Sequence, residues 1–396
     1  MNLSRRGFLK AASIAAGAAI GTRLPGSSFF GVARAATAEP TSVVVVYLDG
    51  GINAIFTGAD AFTNTAFGVT ANNATNMGGV VVDNALANAI PVNIRNRVAS
   101  IGIRHGITDH GNAQTSLFRV NNVAAPLALA DAIGGNGAIK AAVVGGTTLP
   151  NGVRPAPVNT VSLQPINDMR ATIEAVAGAA MAANVADRPG TAKGLTAAQK
   201  MSKPTLAKHP TSLASVDPAL TAAFATVSKP VQPFSTAEFN TAYGLNGTAI
   251  GSFAAQMAAA ELMVRSGTNF VIAQDGGWDT HGDSNGNTVR NMMTARIATP
   301  LRTFLSRMVE GAMAERNVIV ALVGDFHRSL PGSDHQGNVS ALVIGKTLKN
   351  ATTGKTDANV GLGPNVPSIQ GFWQMLTAAA KTDVSPFGAN PHAVLA

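Results

Sequence analysis

The chain has 396 residues and no cysteine, which excludes disulfides, thiolate metal sites, iron–sulfur clusters and cysteine nucleophiles. Its net charge of +8 owes much to the first 35 positions, which hold five of the 29 basic residues and no acidic residue. The remaining 24 basic and 21 acidic residues form no basic stripe, so nucleic acid is not an implied partner.

The N-terminus has the pattern of a twin-arginine (Tat) export signal. Residues 4–10 read Ser-Arg-Arg-Gly-Phe-Leu-Lys and precede an apolar run at 11–21 that is too short for a membrane anchor. Small residues at 33–35 form a cleavage site, with a second candidate at 36–38. We therefore expect a signal peptide at residues 1–35, the Tat translocase as a partner during export, no stable transmembrane anchor, and a periplasmic or extracellular mature protein. An ordinary Sec signal and an uncleaved anchor are the alternatives.

Runs of apolar and β-branched residues predict strands along the chain. Residues 42–48 are apolar almost throughout, which is typical of a parallel strand buried on both faces. Shorter runs of the same kind predict further strands at 98–103, 141–144, 269–274, 317–323 and 341–344.

Helical patterns lie between these strands. Apolar residues recur at helical spacing over 253–264 and again over 289–308, where Pro300 is expected to kink the helix. Strands that alternate with helices predict an α/β fold: a doubly wound, mostly parallel sheet flanked by helices.

One stretch differs in composition from the rest. Residues 187–246 are rich in alanine, threonine, lysine, serine and proline, which predicts an inserted cap or lid with short helices. The α/β core would then consist of a first part at 36–186 and a second part at 247–396.

Acidic and imidazole side chains follow the predicted strands, and ligands of open α/β sheets bind beyond the carboxyl ends of the strands. Carboxylate oxygens and neutral imidazole nitrogens are the ligands that zinc-like and manganese-like ions prefer where no thiolate is present. We therefore predict a divalent metal ion (zinc, calcium or manganese) with the candidate ligands Asp49, Asp279, His281, Asp325, His327, Asp334 and His335.

Three further residues, His110, Arg328 and Thr280, are candidates for catalysis. Arg328 could clamp an anionic oxygen or pair with Asp325. The chain has no Gly-x-Ser-x-Gly elbow and no phosphate-binding glycine loop. A water molecule activated by a metal would need no side-chain nucleophile. For any one of these residues taken alone, a turn, cap or packing role is the commoner explanation.

The chain resembles the Tat-exported bacterial family called domain of unknown function 1501, which itself resembles the alkaline phosphatase/sulfatase superfamily. The resemblance rests on Leu-Asp-Gly-Gly at 48–51, Gly-Gly-Trp-Asp-Thr-His at 276–281, Gly-Asp-Phe-His-Arg at 324–328 and Asp-His at 334–335. It implies an alkaline phosphatase-like sheet with one or two metals at the strand ends, acting on phosphate or sulfate esters.

By the same resemblance, Asp279 and His281 would hold one metal, and Asp325 with His335 would hold another. The chain also departs from the family pattern. Asn53 stands where the family has aspartate, Asp325 where it has glutamate, His327 where it has glycine, and Asp109 where it often has the serine before His110. These changes remove a carboxylate and the obvious covalent nucleophile.

We therefore expect an exported, metal-dependent hydrolase-like protein that acts on a small anionic ester of phosphate or sulfate. The alternative is a non-catalytic periplasmic binding or scaffold protein with a degenerate metal site. Asn53, Asp109 and the low charged fraction of 13% favour that alternative.

Overall fold

The computed structural model describes residues 40–57, 70–135, 139–145, 149–153, 158–159, 161–170 and 172, ten scattered residues between 193 and 208, and residues 235–311, 316–354, 356–357, 359–363 and 365–396. The predicted signal peptide lies outside the described residues. So does the predicted cap, apart from the ten scattered residues and residues 235–246. The division into domains therefore stays a prediction.

The described strands are short apart from those of one large sheet. In chain order they are β1 Thr41–Leu48, β2 Ile52–Asn53, β3 Ala74–Asn76, β4 Val81–Asp83, β5 Val98–Arg104, β6 Arg119–Val120, β7 Val123–Ala124, β8 Ala141–Val144, β9 Leu163–Ile166, β10 Phe270–Asp275, β11 Asn317–Gly324, β12 His327–Arg328, β13 His335–Gln336, β14 Asn338–Ile344 and β15 Ala351–Thr353.

The described α-helices are α1 Asn84–Ala87, α2 His110–Phe118, α3 Ala125–Ile133, α4 Thr236–Tyr243, α5 Phe253–Arg265, α6 Asn287–Met292, α7 Thr299–Leu305 and α8 Gln370–Ala379. Two π-helical segments, Met293–Ala298 and Ser306–Glu310, follow α6 and α7 directly. Short 3₁₀ turns lie at Ala54–Phe56, Ala71–Asn73 and Val92–Arg97.

Eight strands form one sheet in the order β15-β5-β14-β11-β1-β10-β8-β9. Every neighbouring pair is parallel except the two that β14 makes with β11 and β5. Helices cover both faces. This confirms the predicted α/β class with a mostly parallel sheet flanked by helices.

Strand β1 lies near the middle of the sheet and all its residues are buried. Val44, Val46 and Leu48 face one hydrophobic cluster, which includes residues of α5 and α7. Val43 and Val45 face the other, which includes residues of α2, α3 and α8. Burial on both faces explains why this strand is an unbroken apolar run rather than an alternating one. Each fully buried valine contributes about 1.5–3 kcal/mol relative to exposure.

The predicted stripe over 289–308 is helical and faces the core, with Met293, Ile297 and Leu301 fully buried. The expected kink takes a particular form. The backbone widens into a π-helix before Pro300, and Pro300 then lies in the first turn of α7. A proline ring has no N–H to donate and clashes with the carbonyl of the preceding turn, so a widened turn accommodates it.

The strand directions determine where the site lies. The carboxyl ends of β1, β5, β10 and β11 all point to one edge of the sheet, because these strands are mutually parallel. Since β14 runs the opposite way, it begins at that same edge, and the residues that precede it in the chain lie there. The small sheet β13-β12-β2 lies there and pairs Arg328 with both His335 and Asn53.

None of the helices in the described part of the chain combines the length and hydropathy that a membrane span requires.

Candidate metal centre

Three potential ligand atoms, one from each of His110, Asp279 and His335, lie within 4.8 Å of one another. His110 is the first residue of α2, Asp279 lies in the loop after β10, and His335 begins β13. Three segments that are far apart in sequence therefore converge at the carboxyl edge of the sheet, as the sequence predicts for ligand-binding residues.

The ring of His335 is held so that Nε2 points to the centre. Its Nδ1 lies 2.7 Å from the backbone oxygen of Thr108 and donates to it. Its Nε2, left with a lone pair, lies 3.6 Å from Oδ1 of Asp279. The ring also packs on Phe326, with centroids 4.1 Å apart. Histidines that bind metals are commonly oriented in this way by a carbonyl on the other ring nitrogen.

A third imidazole, that of His281, adjoins the group from the solvent side. Its Nε2 lies 3.0 Å from Nε2 of His335 and 3.3 Å from Oδ1 of Asp279. Its Nδ1 lies 3.3 Å from Oδ1 of Asp334. With Nδ1 directed at that carboxylate, Nε2 of His281 is available as a further ligand.

His110 is oriented by Asp325. Its Nδ1 donates a 2.6 Å hydrogen bond to Oδ2 of Asp325, and its Nε2 lies 3.5 Å from Oδ2 of Asp279. Burial raises the pKa of Asp325, and the hydrogen bond from His110 offsets part of that rise. Nε2 of His110 and Oδ1 of Asp325 are both buried without a hydrogen-bond partner among the described residues. Buried polar atoms are rarely left unpaired in proteins, so these two atoms are candidates for contact with a bound water, ion or substrate.

Arg328 is buried and pairs with Asp279. The sequence analysis offered Asp325 as its partner, and the structure shows Asp279 in that place. The Nε atom of Arg328 donates a 2.6 Å hydrogen bond to the backbone oxygen of Gly50, and its Nη atoms donate to Ser333 O and to Oδ1 of Asp279. Burial alone would raise the pKa of Asp279, but the charge and hydrogen bond of Arg328, with the charges of His110 and His281, hold that pKa below its ordinary value. Asp279 is therefore kept ionised.

Close packing of two loops fixes the position of Asp279. Gly50 has a φ of +113°, and a Cβ atom there would lie 2.3 Å from the backbone nitrogen of Asp279. The neighbouring amide, Trp278 N, donates to Asp49 O at 3.0 Å. Only glycine permits both this backbone conformation and this approach.

The family model described as "Protein of unknown function (DUF1501)" matches residues 156–367. The chain belongs to this family. The match confirms the resemblance and contains Asp279, His281, Arg328 and His335, whereas His110 precedes it. No curated protein sequence matches the chain significantly.

Two solved structures resemble the DUF1501 chain weakly. One is Ps i-CgsB in complex with k-i-k-neocarrahexaose, at 10% identity and a TM-score of 0.40, covering 88% of this chain and 73% of that one. The other is the lipoteichoic acid synthase LtaP from Listeria monocytogenes, at 10% identity and a TM-score of 0.32, covering 96% and 80%. At these values neither structure bears on the activity of this chain.

In this DUF1501 chain, Asp49 lies beside the centre with both carboxylate oxygens bound by amides. Oδ1 accepts from Gln114 at 2.7 Å, and Oδ2 accepts from Gln274 at 3.1 Å. The sequence analysis did not single out either glutamine. Gln274 is the next-to-last residue of β10 and Gln114 lies one helical turn after His110, so both face the edge where the predicted ligands gather.

His327 is not brought to the centre. Its Nδ1 lies 3.2 Å from Oγ of Ser340, and its Nε2 lies 2.9 Å from the backbone oxygen of Val360. The ring is completely buried, and burial lowers its pKa to about 4. Successive side chains of a strand point to opposite sides, so β12 directs Arg328 to the centre and His327 into the packing.

Thr280 and Asp334 also lie at the margin. The Thr280 hydroxyl is buried and lies 3.1 Å from Oγ of Ser333. Asp334 is exposed and contacts the centre through His281.

The loop after β10 depends on two residues that the sequence analysis missed. Oδ2 of Asp275 accepts a 2.8 Å hydrogen bond from Trp278 Nε1 and forms a 2.5 Å ion pair with Arg296. Arg296 also donates to the backbone oxygen of Gly276 at 2.7 Å. A tryptophan needs an acceptor when buried, and the acidic residue at the end of the preceding strand was the available signal.

Proposed function

We propose that this DUF1501 protein is a metal-dependent hydrolase of phosphate or sulfate esters. A single divalent cation would be held by His110, Asp279 and His335, with His281 as a fourth ligand. The observation that carries the proposal is the convergence of three potential ligand atoms within 4.8 Å at the carboxyl edge of the sheet.

The donor atoms suit such an ion. Three imidazole nitrogens and a carboxylate oxygen form a set that zinc and related ions accept. The unpartnered, buried Nε2 of His110 supports the same conclusion, as do the acceptors that occupy Nδ1 of His110 and of His335. When bound, the ion would polarise an ester oxygen and lower the pKa of a water molecule.

The surrounding residues would orient these ligands. Asp325 would keep the proton of His110 on Nδ1, and Arg328 would keep Asp279 ionised and fixed in position. Because all of its guanidinium nitrogens already bind protein atoms, Arg328 acts on Asp279 in this proposal, not on the substrate. The Thr280 hydroxyl is engaged with Ser333, so we propose water as the nucleophile.

The proposal is tested by metal analysis of folded protein, followed by assays with aryl phosphate and aryl sulfate esters. We expect about one zinc, manganese or calcium ion per chain and measurable hydrolysis of one ester class. Asp279→Asn and His335→Ala should lose both the metal and the activity, while His327→Gln should keep both. A folded wild-type protein that binds none of these three ions would contradict the proposal.

A second function, a non-catalytic binding or scaffold protein, is favoured by one observation. Both oxygens of Asp49 are engaged by glutamine amides, so no free carboxylate remains there for a second ion. This function predicts a bound metal without turnover of either ester, an outcome that the same assays distinguish.

We also propose export by the Tat route to the periplasm or beyond. Cell fractionation of the wild type and of an Arg5→Lys, Arg6→Lys variant checks this. The variant should remain in the cytoplasm with residues 1–35 uncleaved.

A further inference from the structure

We infer that a cleft on the face of α2 opposite the core binds a sugar that carries an anionic ester group, at a position separate from the metal centre. The cleft has a volume of about 620 Å³, which lies within the ~300–1,000 Å³ usual for small-molecule sites. None of the proposed metal ligands lines it.

The cation of the cleft is Arg119, which lies in β6. The Nε atom of its guanidinium is buried and has no hydrogen-bond partner among the residues that the structure describes. Among the described residues, no carboxylate lines the cleft to neutralise it. An arginine in this condition matches the oxygens of a phosphate or sulfate, because its planar donors can bind two oxygens at once.

The other polar lining residues carry amides and hydroxyls: Asn112, Thr115, Ser116, Asn121 and Asn122. Amide groups supply both donors and acceptors, and hydroxyls supply either. Thr115 already donates to Gly111 O at 2.8 Å and keeps its acceptor capacity. This lining matches the hydroxyl groups of a sugar, each of which also donates and accepts.

The cleft is preformed by local structure. Asn121 and Asn122 have φ values of 50° and 62° and make a two-residue turn between β6 and β7. Asparagine is favoured at the left-handed positions of such hairpin turns. Helix α2 supplies the opposite wall, where Asp109 caps the first turn by accepting from Asn112 N at 2.9 Å. Since both walls are hydrogen-bonded elements, little ordering is needed when a ligand binds.

The test is calorimetric titration of the full chain with glucose 6-phosphate, glucose 6-sulfate and unmodified glucose. We expect at least one of the two esters to bind more tightly than glucose. Arg119→Met should weaken ester binding at least about 10-fold, because it removes a charge-assisted hydrogen bond. The matched control is Arg302→Met in α7, since Arg302 is exposed and among the described residues it donates to Asn88 O alone; binding should not change.

A second variant keeps the inference testable if Arg119→Met does not fold. Asn112→Asp puts a negative charge in the cleft and should weaken binding of the esters but not of glucose. Asp279→Asn should lose any ester binding that belongs to the proposed metal centre and keep the ester binding of the cleft, which separates this inference from the proposed hydrolase. Absence of binding by either ester, wild-type affinity in both cleft variants, or loss of all ester binding in Asp279→Asn would each overturn the inference.

Discussion

Two clusters of charged side chains in this molecule are built from similar residue types but differ in how completely they are satisfied. Beneath α4, the buried Glu261 accepts hydrogen bonds from Tyr243 at 2.8 Å and from Arg307 at 2.8 and 3.0 Å. Arg307 also binds Glu238 at 2.6 Å. At the carboxyl edge of the sheet, by contrast, Nε2 of His110 and Oδ1 of Asp325 are buried and have no hydrogen-bond partner among the described residues.

From this difference we assign a structural role to the first cluster and propose a binding role for the second. A buried ionic network is tolerated when each charge meets an opposite charge and its hydrogen-bonding capacity is filled. The cluster beneath α4 meets this condition and attaches that helix to α5. The cluster at the sheet edge leaves nitrogen and oxygen atoms available, which is the condition for binding an ion from outside the chain.

The largest effect is expected in the satisfied cluster. Arg307→Ala leaves Glu261 buried with less of its compensating charge, and should lower the free energy of unfolding by about 3–5 kcal/mol. Urea denaturation measures this, and Arg302→Ala on the same helix stretch should change it by less than about 0.5 kcal/mol. A loss below 1 kcal/mol for Arg307→Ala would mean that the network contributes little, and the contrast between the clusters would weaken.

The next effect concerns His327, an imidazole whose two ring nitrogens both have partners, as the charged groups beneath α4 do. Its pKa is about 4 in the folded protein against ~6.5 in an unfolded chain. The unfolded state therefore takes up a proton first as pH falls, so stability that is complete above pH ~6.5 is lost as pH falls toward 4, by about 3 kcal/mol.

The measurement is urea denaturation between pH 7 and 4 for the wild type and for His327→Gln. The variant should lose this part of the pH dependence. Its glutamine amide can still hydrogen-bond with Ser340 and Val360, which are the partners of the imidazole in the wild type. Parallel pH profiles for the two proteins would contradict the assignment of His327 as a neutral buried residue.

A smaller effect is expected for Gly50→Ala, which tests how the open cluster is positioned. The added Cβ would meet the backbone of Asp279 at a positive φ, which should cost about 1–3 kcal/mol of stability and weaken metal binding. Gly79→Ala is the matched control, because Gly79 has a φ of +104° and open space around its Cβ position. Equal metal affinity in the two variants would argue against a positioning role for Gly50.

The smallest change in stability is expected in the open cluster itself. His281 is about half exposed, with a side-chain accessibility of 51%, so His281→Ala should alter the free energy of unfolding by less than about 0.5 kcal/mol. The affinity of this variant for a divalent ion should nevertheless fall more than about 100-fold, beyond the range for a residue that only orients a ligand. A titration with zinc, read by calorimetry, measures this, and an unchanged affinity would remove His281 from the ligand set.

Much of the fold could be predicted from the sequence because buried parallel strands consist of continuous runs of apolar residues. The runs at 42–48 and 317–323 correspond to β1 and β11. Strand β9, with the sequence Leu-Gln-Pro-Ile, was missed because it lies at the sheet edge, where polar residues and proline are tolerated. The antiparallel direction of β14 was not predicted either, since an apolar run carries no information about strand direction.

The site was predictable as a set of residues but not as a geometry. Asp-x-His appears at both 279–281 and 325–327, yet only the first histidine reaches the centre. The second lies in β12, whose side-chain alternation turns it toward Ser340. That alternation depends on pairing with β2 and β13, a contact between segments that are far apart in the chain. Thr108 and Gly50 accept hydrogen bonds from His335 and Arg328 through their backbone oxygens. A pattern of side-chain types cannot predict such contacts.

The most direct test of the central claim is a crystal of the full chain grown with zinc, with diffraction data collected on both sides of the zinc absorption edge. We predict one strong anomalous peak about 2.0–2.2 Å from Nε2 of His110, Nε2 of His335 and an oxygen of Asp279. The absence of a peak at this position, in crystals that contain zinc and in which these side chains are ordered, would contradict the account.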